Sequence, residues 1–300
     1  MEPSILRDLL SRDPKKTLYH YTSQKGLLGI IKDRNIWATH TSYLSDASEY
    51  RYAVDAVTSE IDGRLADAAG DSRRVLADMA EGVKDIESMN VCVCSFSEDR
   101  DSLSQWRAYG GSMSGYAIGF NALHLAEMVR REEFYLAPCV YKAAEQITAI
   151  KALVDMVFDQ NMKKLQDGAA LVSEDRERDW SNTADLIFPP GGSLAAYLHR
   201  FAPILKDKSF SEEKEWRIIS RPLMCIRERF DFRCGNSMLV PYYKVPIAHP
   251  DQLLKLDEIV IGPTPHVEQS RRAVQNFLVS QGRELEKVPV EPSAVPYRSW

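Results

Sequence analysis

The apolar and polar positions change period several times along the chain, and each change marks an element. "KTLYHYT" is short and aromatic-rich, with strand character. In "SQKGLLGIIKDRN", Leu27, Leu28, Ile30 and Ile31 fall on one helical stripe behind Ser23, a residue type that caps helix N-termini. "NIWATH" returns to an extended pattern, and "SYLSDASEY" reads as a loop running into a helix. Over about 49–88, Val54, Val57, Ile61 and Leu65 recur at helical spacing, which predicts a long amphipathic helical region. "MNVCVCSFS" predicts a buried strand. "SLSQWRAYGG" predicts a helical turn stopped by Gly110 and Gly111, and "SGYAIGFN" another strand.

Residues about 122–206 carry helical stretches, with a break at Pro189 to Gly192. Strands resume at "EEKEWRIIS", "SMLVPYYKVPI" and "LDEIVIGP" before a last helix in "HVEQSRRAVQNFLVSQG". The fold class read from this order is α+β. It is one domain over 1–300, because strand-rich segments at about 18–121 and 207–265 need each other to complete a sheet. A helical insertion (about 122–206) lies between them, and a C-terminal helix (about 266–282) follows.

Composition narrows the function classes. The 300 residues are 44% hydrophobic, enough for a sizeable core. A net charge of −5 argues against a strongly electrostatic nucleic-acid binder. The five cysteines are scattered and odd in number, so a disulfide framework is not expected. Cys92 and Cys94 lack zinc-ligand spacing and instead share one face of a strand. The N-terminus has no signal-peptide apolar core, and no apolar run approaches the roughly 18 residues of a membrane span. A cytoplasmic protein with reduced thiols and no membrane contact is expected.

Four stretches carry candidate chemistry. If "EKEWRII" is extended, Glu213, Glu215, Arg217 and Ile219 share one face, and Lys214, Trp216 and Ile218 share the other. The polar face either lines a cleft or belongs to a solvated edge strand with a Glu–Arg pair. Glu98 and Asp99 follow a buried strand, where loops tend to carry function. Trp106 and Tyr109 sit three apart on one side of a helical turn, placed to stack a base or to cap the core. Asp46 and Glu49 have capping-box spacing. His20, in "YHYTS", is a strand histidine that serves either structure or a site.

Taken in order, "LYHYTS", "GLLGIIKDRNIWATHTSYLSDASEY", "VCSFSEDRDSLSQWRAYGG", "GYAIGF", "FSEEKEWRII" and "EIVIGP" resemble the bacterial family labelled domain of unknown function 2971, from about Leu18 to about Pro263. More distantly the order looks like an ADP-ribosyltransferase-like fold. That resemblance implies a split antiparallel sheet, a His on a first strand, an aromatic or Ser on a middle one, and a Glu on a late one. His20 matches the first position and Glu213 or Glu215 the last. Tyr43, Trp106 and Tyr109 compete for the middle.

The resemblance implies NAD as substrate. Cleaving the nicotinamide–ribose bond builds an oxocarbenium-like ribosyl cation that a strand-borne carboxylate stabilises. Glu215 is then the first candidate for the catalytic acid, with Glu213 as its partner. His20, Tyr21 and Thr22 would lie against NAD, Trp106, Tyr109 or Tyr43 would stack, and Arg217 would contact phosphate or orient the glutamates. "AYGGSMSGYAIG" is no GxGxxG loop, so a dinucleotide-fold dehydrogenase is not expected.

Three functions follow as expectations. The first is an ADP-ribosyltransferase, a toxin or phage-defence effector acting on a nucleic acid or protein target. The second is a non-catalytic nucleotide or nucleic-acid sensor using His20, Arg107 and Trp106. The third is a carboxylate-based hydrolase using Asp46, Glu49, Glu213 and Glu215.

Overall fold

A computed structural model describes residues 6, 8–9, 12–44, 48–84, 90–110, 115–167, 192–225, 228–249, 252, 254–282 and 286–297. Strand β1 (Thr17–Ser23) leads into helix α1 (Gln24–Asp33), and β2 (Asn35–His40) follows. The helix starts where Ser23 Oγ accepts from the Gly26 N–H at 3.2 Å. It buries Leu27, Ile30 and Ile31 and stops at Arg34, whose φ of 53° is left-handed. The amphipathic region predicted over about 49–88 is two helices, α2 (Ser48–Asp67) and α3 (Gly70–Lys84), divided where Gly70 takes a φ of 56°.

Strand β3 (Cys92–Ser97) precedes α4 (Leu103–Tyr109) and β4 (Gly115–Asn121). Next come α5 (Ala122–Arg130), β5 (Phe134–Pro138), α6 (Ala143–Asp167) and α7 (Leu194–Phe201). The stretch 122–206 is therefore not purely helical, because it carries β5. That strand escaped the periodicity reading because it is apolar on both faces and alternates nothing. The break expected at Pro189 to Gly192 falls, except for Gly192, outside the described residues. The chain closes with β6 (Glu215–Ser220), β7 (Phe230–Cys234), β8 (Leu239–Pro246), β9 (Glu258–Ile261), α8 (Val267–Gln281) and β10 (Val290–Pro292).

The ten strands form one open, largely antiparallel sheet; only β9 and β10 pair in parallel. Its centre is β3, which has β6 along one edge, from Val93↔Ile219 to Ser97↔Glu215, and β5 beyond β6. Two strands share the other edge of β3. β1 meets it at Tyr19↔Ser97, and β2 meets it at Thr39↔Val93 and His40↔Cys92. The sheet thus divides on either side of Ser95 into a β10–β9–β4–β1 wing and a β2–β8–β7 wing.

Helices cover both faces. One face packs Val93, Ile219 and Tyr135 against apolar residues of α2, α3, α6 and α7. The other packs Cys92, Cys94, Phe96, Trp216 and Ile218 with α1, α5 and α8. The buried, unbridged state of Cys92 and Cys94 fits the strand reading. A third cluster, Tyr19, Tyr21, Trp106, Ala117 and Val260, covers the β1–β4–β9 part of the first face. Among the described residues no helix is long and apolar enough to cross a membrane.

The "EKEWRII" segment is not an edge strand. All six residues of β6 are buried, and neighbours flank it on both sides. The charged residues that suggested a solvated edge are buried in pairs instead.

Candidate functional site

Between the two apolar clusters on the first face lies a seam of charge. Glu215 opens β6, and its N–H donates to Tyr141 Oη at 2.8 Å. Arg217, two residues on, points the same way. Its Nε donates to Glu215 Oε1 at 2.7 Å, Nη2 to Oε2 at 3.2 Å, and Nη1 to the Pro203 carbonyl at 2.5 Å. Lys206 Nζ contacts both Glu215 Oε2 and Glu213 Oε2. Strand β5 brings Lys206 there. Just past its end, the Val140 carbonyl accepts from the Lys206 N–H at 3.1 Å, and Gln146 Nε2 donates to the carbonyls of Val140 and Lys206.

Glu213 is not on the strand. It ends a 3₁₀ turn (Lys208–Glu213), and Lys214 then takes a φ of 42°. Ser97 Oγ pins the turn by donating to the Glu213 carbonyl at 2.6 Å. The left-handed kink, not strand alternation, is what turns Glu213 toward the same lysine as Glu215.

Lys206, Glu215 and Arg217 are all at most 6% exposed. Two acids and two cations leave the group neutral, which satisfies the rule that buried charges are paired. Burial alone would raise the Glu215 carboxyl, but the charges and hydrogen bonds of Arg217 and Lys206 outweigh it and hold it at about 2. Glu215 is therefore a carboxylate at neutral pH and cannot act as a proton donor. Burial would lower Lys206, but its glutamate partners raise it, so it stays an ammonium. Tyr109 is raised, first by burial and then by Glu215 and Glu213 nearby.

A small cavity of about 50 Å³ opens beside this group, at the division of the sheet. Its lining includes His20, Ser95, Phe96, Gln105, Tyr109, Glu213 and Glu215, with parts of Tyr19 and Tyr21. His20 Nδ1 lies 2.9 Å from the Ser95 carbonyl, midway between the points where β1 and β2 join β3. Its ring packs on Phe96 at 5.6 Å. By strand alternation His20 projects with Phe96, while Tyr19 and Tyr21 project with Glu215. The histidine reaches the cavity from the opposite side of the sheet, through the gap between β1 and β2. Burial lowers its pKa against the pull of the Ser95 carbonyl, leaving a neutral imidazole.

Apart from Tyr109 and Tyr21, the other candidates do not line the cavity. Trp106 is buried against Tyr21 and donates from Nε1 to Asp101 Oδ1 at 2.6 Å. Of the two aromatics on α4, Tyr109 reaches the cavity. Tyr21 Oη donates to the Asp99 carbonyl at 2.7 Å. Thr22 packs against Gly26, where an added Cβ would meet its Oγ1 at 1.9 Å. Tyr43 stands edge-on to His40 and is half-exposed. Arg107 lies over the Tyr297 ring at 5.2 Å. Glu98 is buried and accepts from Trp216 Nε1 at 2.8 Å and Arg12 Nη2 at 2.5 Å. Asp99 pairs with Lys214 at 3.0 Å. Asp46 and the Glu49 side chain lie outside the described residues. Among the described residues no three His, Cys, Asp or Glu side chains are grouped to hold a metal ion.

Sequence reading missed Lys206, Gln105 and Tyr141. Lys206 follows the apolar "APIL" and is one of three lysines and aspartates in "KDK". Nothing local separates it from its exposed neighbour Lys208.

Residues 105–218, which include most of α4, β5, Lys206 and the start of β6, match the family model described as "Protein of unknown function (DUF2971)". This is the family the sequence resembles, and the matched stretch holds most of the charged seam. No curated protein and no solved structure matches the chain.

Proposed function

We propose that the chain is a NAD-using ADP-ribosyltransferase whose reacting centre is the cavity where β1 and β2 part. One observation carries this reading. Residues remote in sequence, His20, Tyr109, Glu213 and Glu215, line a single small space beside an ionised, buried carboxylate.

The ionisation state suits this chemistry. When the bond from ribose C1′ to the nicotinamide nitrogen breaks, the electron pair leaves with nicotinamide. The pyridinium becomes neutral and needs no proton. Ordinary glycoside cleavage needs a general acid of raised pKa, and Glu215 is lowered to about 2. What remains is for a carboxylate to stabilise the ribosyl cation while a nucleophile of the target attacks C1′ and gives up its proton to water. Glu215 takes that role, and Glu213 accepts from a ribose hydroxyl. Tyr109 stacks on the nicotinamide. Neutral His20 donates to or accepts from the amide end.

At about 50 Å³ the cavity is far below the roughly 300–1,000 Å³ of ligand sites. NAD entry therefore displaces its rim, the exposed Tyr109 ring and the exposed Lys208–Glu213 turn. The ribose hydroxyl then replaces one of the Lys206 contacts.

The same neutralisation motivates a second reading, a binding module without turnover, since Glu215 already has two cationic partners. Incubation with labelled NAD and a cell lysate separates the two. The first reading expects label transfer or nicotinamide release, and Glu215→Gln lowers the rate by at least about a hundredfold. Nucleotide-induced thermal stabilisation without turnover supports the second. Neither response rejects both.

A further inference from the structure

Strand β7 closes one end of the sheet. The Arg229 carbonyl accepts from the Lys244 N–H at 2.9 Å, and the Gly235 N–H donates to the Met238 carbonyl at 2.9 Å. Antiparallel alternation then turns the backbone groups of Asp231 and Arg233 toward β8 and those of Phe230, Phe232 and Cys234 outward. Around that open edge Phe232 is 54% exposed, Met238 59% and Leu239 64%. An exposed apolar edge strand is a template for another strand. The central outward N–H, that of Phe232, is met by the neighbouring Asp231 Oδ1 at 2.8 Å.

The residues of the strand select the partner. "FDFRC" laid antiparallel on itself, centred on Phe232, sets Asp231 opposite Arg233 of the other copy, twice. Phe232 meets Phe232, and Phe230 meets Cys234. Phe232 is then a hydrogen-bonded pair, and the Asp–Arg pairs fall at the positions between, where opposed side chains stand closest. A slip of one pairing step in either direction puts Asp231 on Asp231 or Arg233 on Arg233. Ladder and charge agree in this register.

We propose that β7 pairs with the β7 of a second copy of this chain about a two-fold axis at Phe232, giving a homodimer with one continuous sheet. The interface is isologous and self-complementary. Asp231 Oδ2 keeps Lys244 Nζ at 2.6 Å. Its Oδ1 releases the Phe232 N–H to the facing Phe232 carbonyl and takes Arg233 of the second copy. Arg233, whose Nη2 bonds Thr39 Oγ1 at 2.9 Å in the single chain, turns outward from that hydroxyl to reach the facing Asp231. This reading is independent of the cavity and its chemistry.

Light scattering across a dilution series of the full chain tests it. The expected mass at high concentration is twice 34.0 kDa. Phe232→Pro removes the central outward N–H, a change an edge strand tolerates, and should give monomer. Arg233→Asp sets acid against acid and should weaken dimerisation at least about tenfold, while Asp231→Arg with Arg233→Asp restores it. Wild type that is monomeric throughout, a dimer indifferent to Phe232→Pro, or a folded swap variant that stays monomeric each overturns the proposal. If the swap variant does not fold, Phe232→Cys in a Cys225→Ser, Cys234→Ser background replaces it. A short thiol cross-linker captures its dimers if the axis passes through residue 232, and failure to capture overturns the proposal.

Discussion

Two strands of this protein carry the same three-residue pattern, an acid, an aromatic and an arginine. One is Glu215-Trp216-Arg217 in β6, the other Asp231-Phe232-Arg233 in β7. In β6 the aromatic is 2% exposed, and the buried acid bonds both the arginine and Lys206. In β7 the aromatic is 54% exposed, and the acid and arginine bond different partners, Lys244 and Thr39. Position in the sheet makes the difference. β6 has neighbours on both sides and a helix layer over its charged face, while β7 has one neighbour. The same alternation yields an internal charge cluster in one place and a half-solvated edge in the other.

The comparison breaks most readily at Arg217. Arg217→Ala leaves Glu215 buried against Lys206 without its guanidinium partner and uncovers the Pro203 carbonyl. Removing one partner of a buried ionic group costs about 3–5 kcal/mol. Urea unfolding followed by circular dichroism should show that loss, or no stable fold. A loss under about 1 kcal/mol would mean that β6 is as accessible as β7.

Acid titration gives the next largest effect. Glu215 has a folded pKa of about 2 against an ordinary 4.5, so its stabilisation is complete above the ordinary value and disappears as pH falls toward 2. The difference is on the order of 3 kcal/mol. Stability measured from about pH 5 down to about pH 2 should fall more steeply in wild type than in Glu215→Gln. Equal slopes would show that the carboxylate is not held down by Arg217 and Lys206.

The contrast also shows what a single sequence reveals here. Elements with a clear period were legible, including the Ser23-capped helix and the strands around Cys92 and Tyr116. Strand β5 was not, because burial on both faces removes the alternation that marks a strand. Glu213 and Glu215 were legible as a pair, but for the wrong reason. Their common direction comes from the left-handed Lys214, which no period announces. The solvated edge expected for β6 is a fair description of β7, since the pattern fixes which residues share a face and leaves open whether that face meets water. Lys206 was illegible because its burial depends on the bridge between Val140 and Leu205, more than sixty residues apart. His20 was legible as a candidate. That it enters through the division in the sheet follows from β1 and β2 sharing one edge of β3, a property of topology alone.

The smallest effect belongs to Arg233, and it is the control for the whole comparison. Its guanidinium makes one bond to Thr39 and lies 5.9 Å over the half-exposed Trp37 ring. Water can replace both contacts, so Arg233→Ala in dilute protein should cost no more than about 1 kcal/mol. The measurement is the same urea series used for Arg217→Ala, at a concentration where light scattering reports monomer. Two arginines in the same local sequence would then differ several-fold in cost, because a second flanking strand and a helix layer bury one and not the other. If Arg233→Ala costs as much as Arg217→Ala, β7 is not an open edge in solution, and whatever covers it does so even in the monomer.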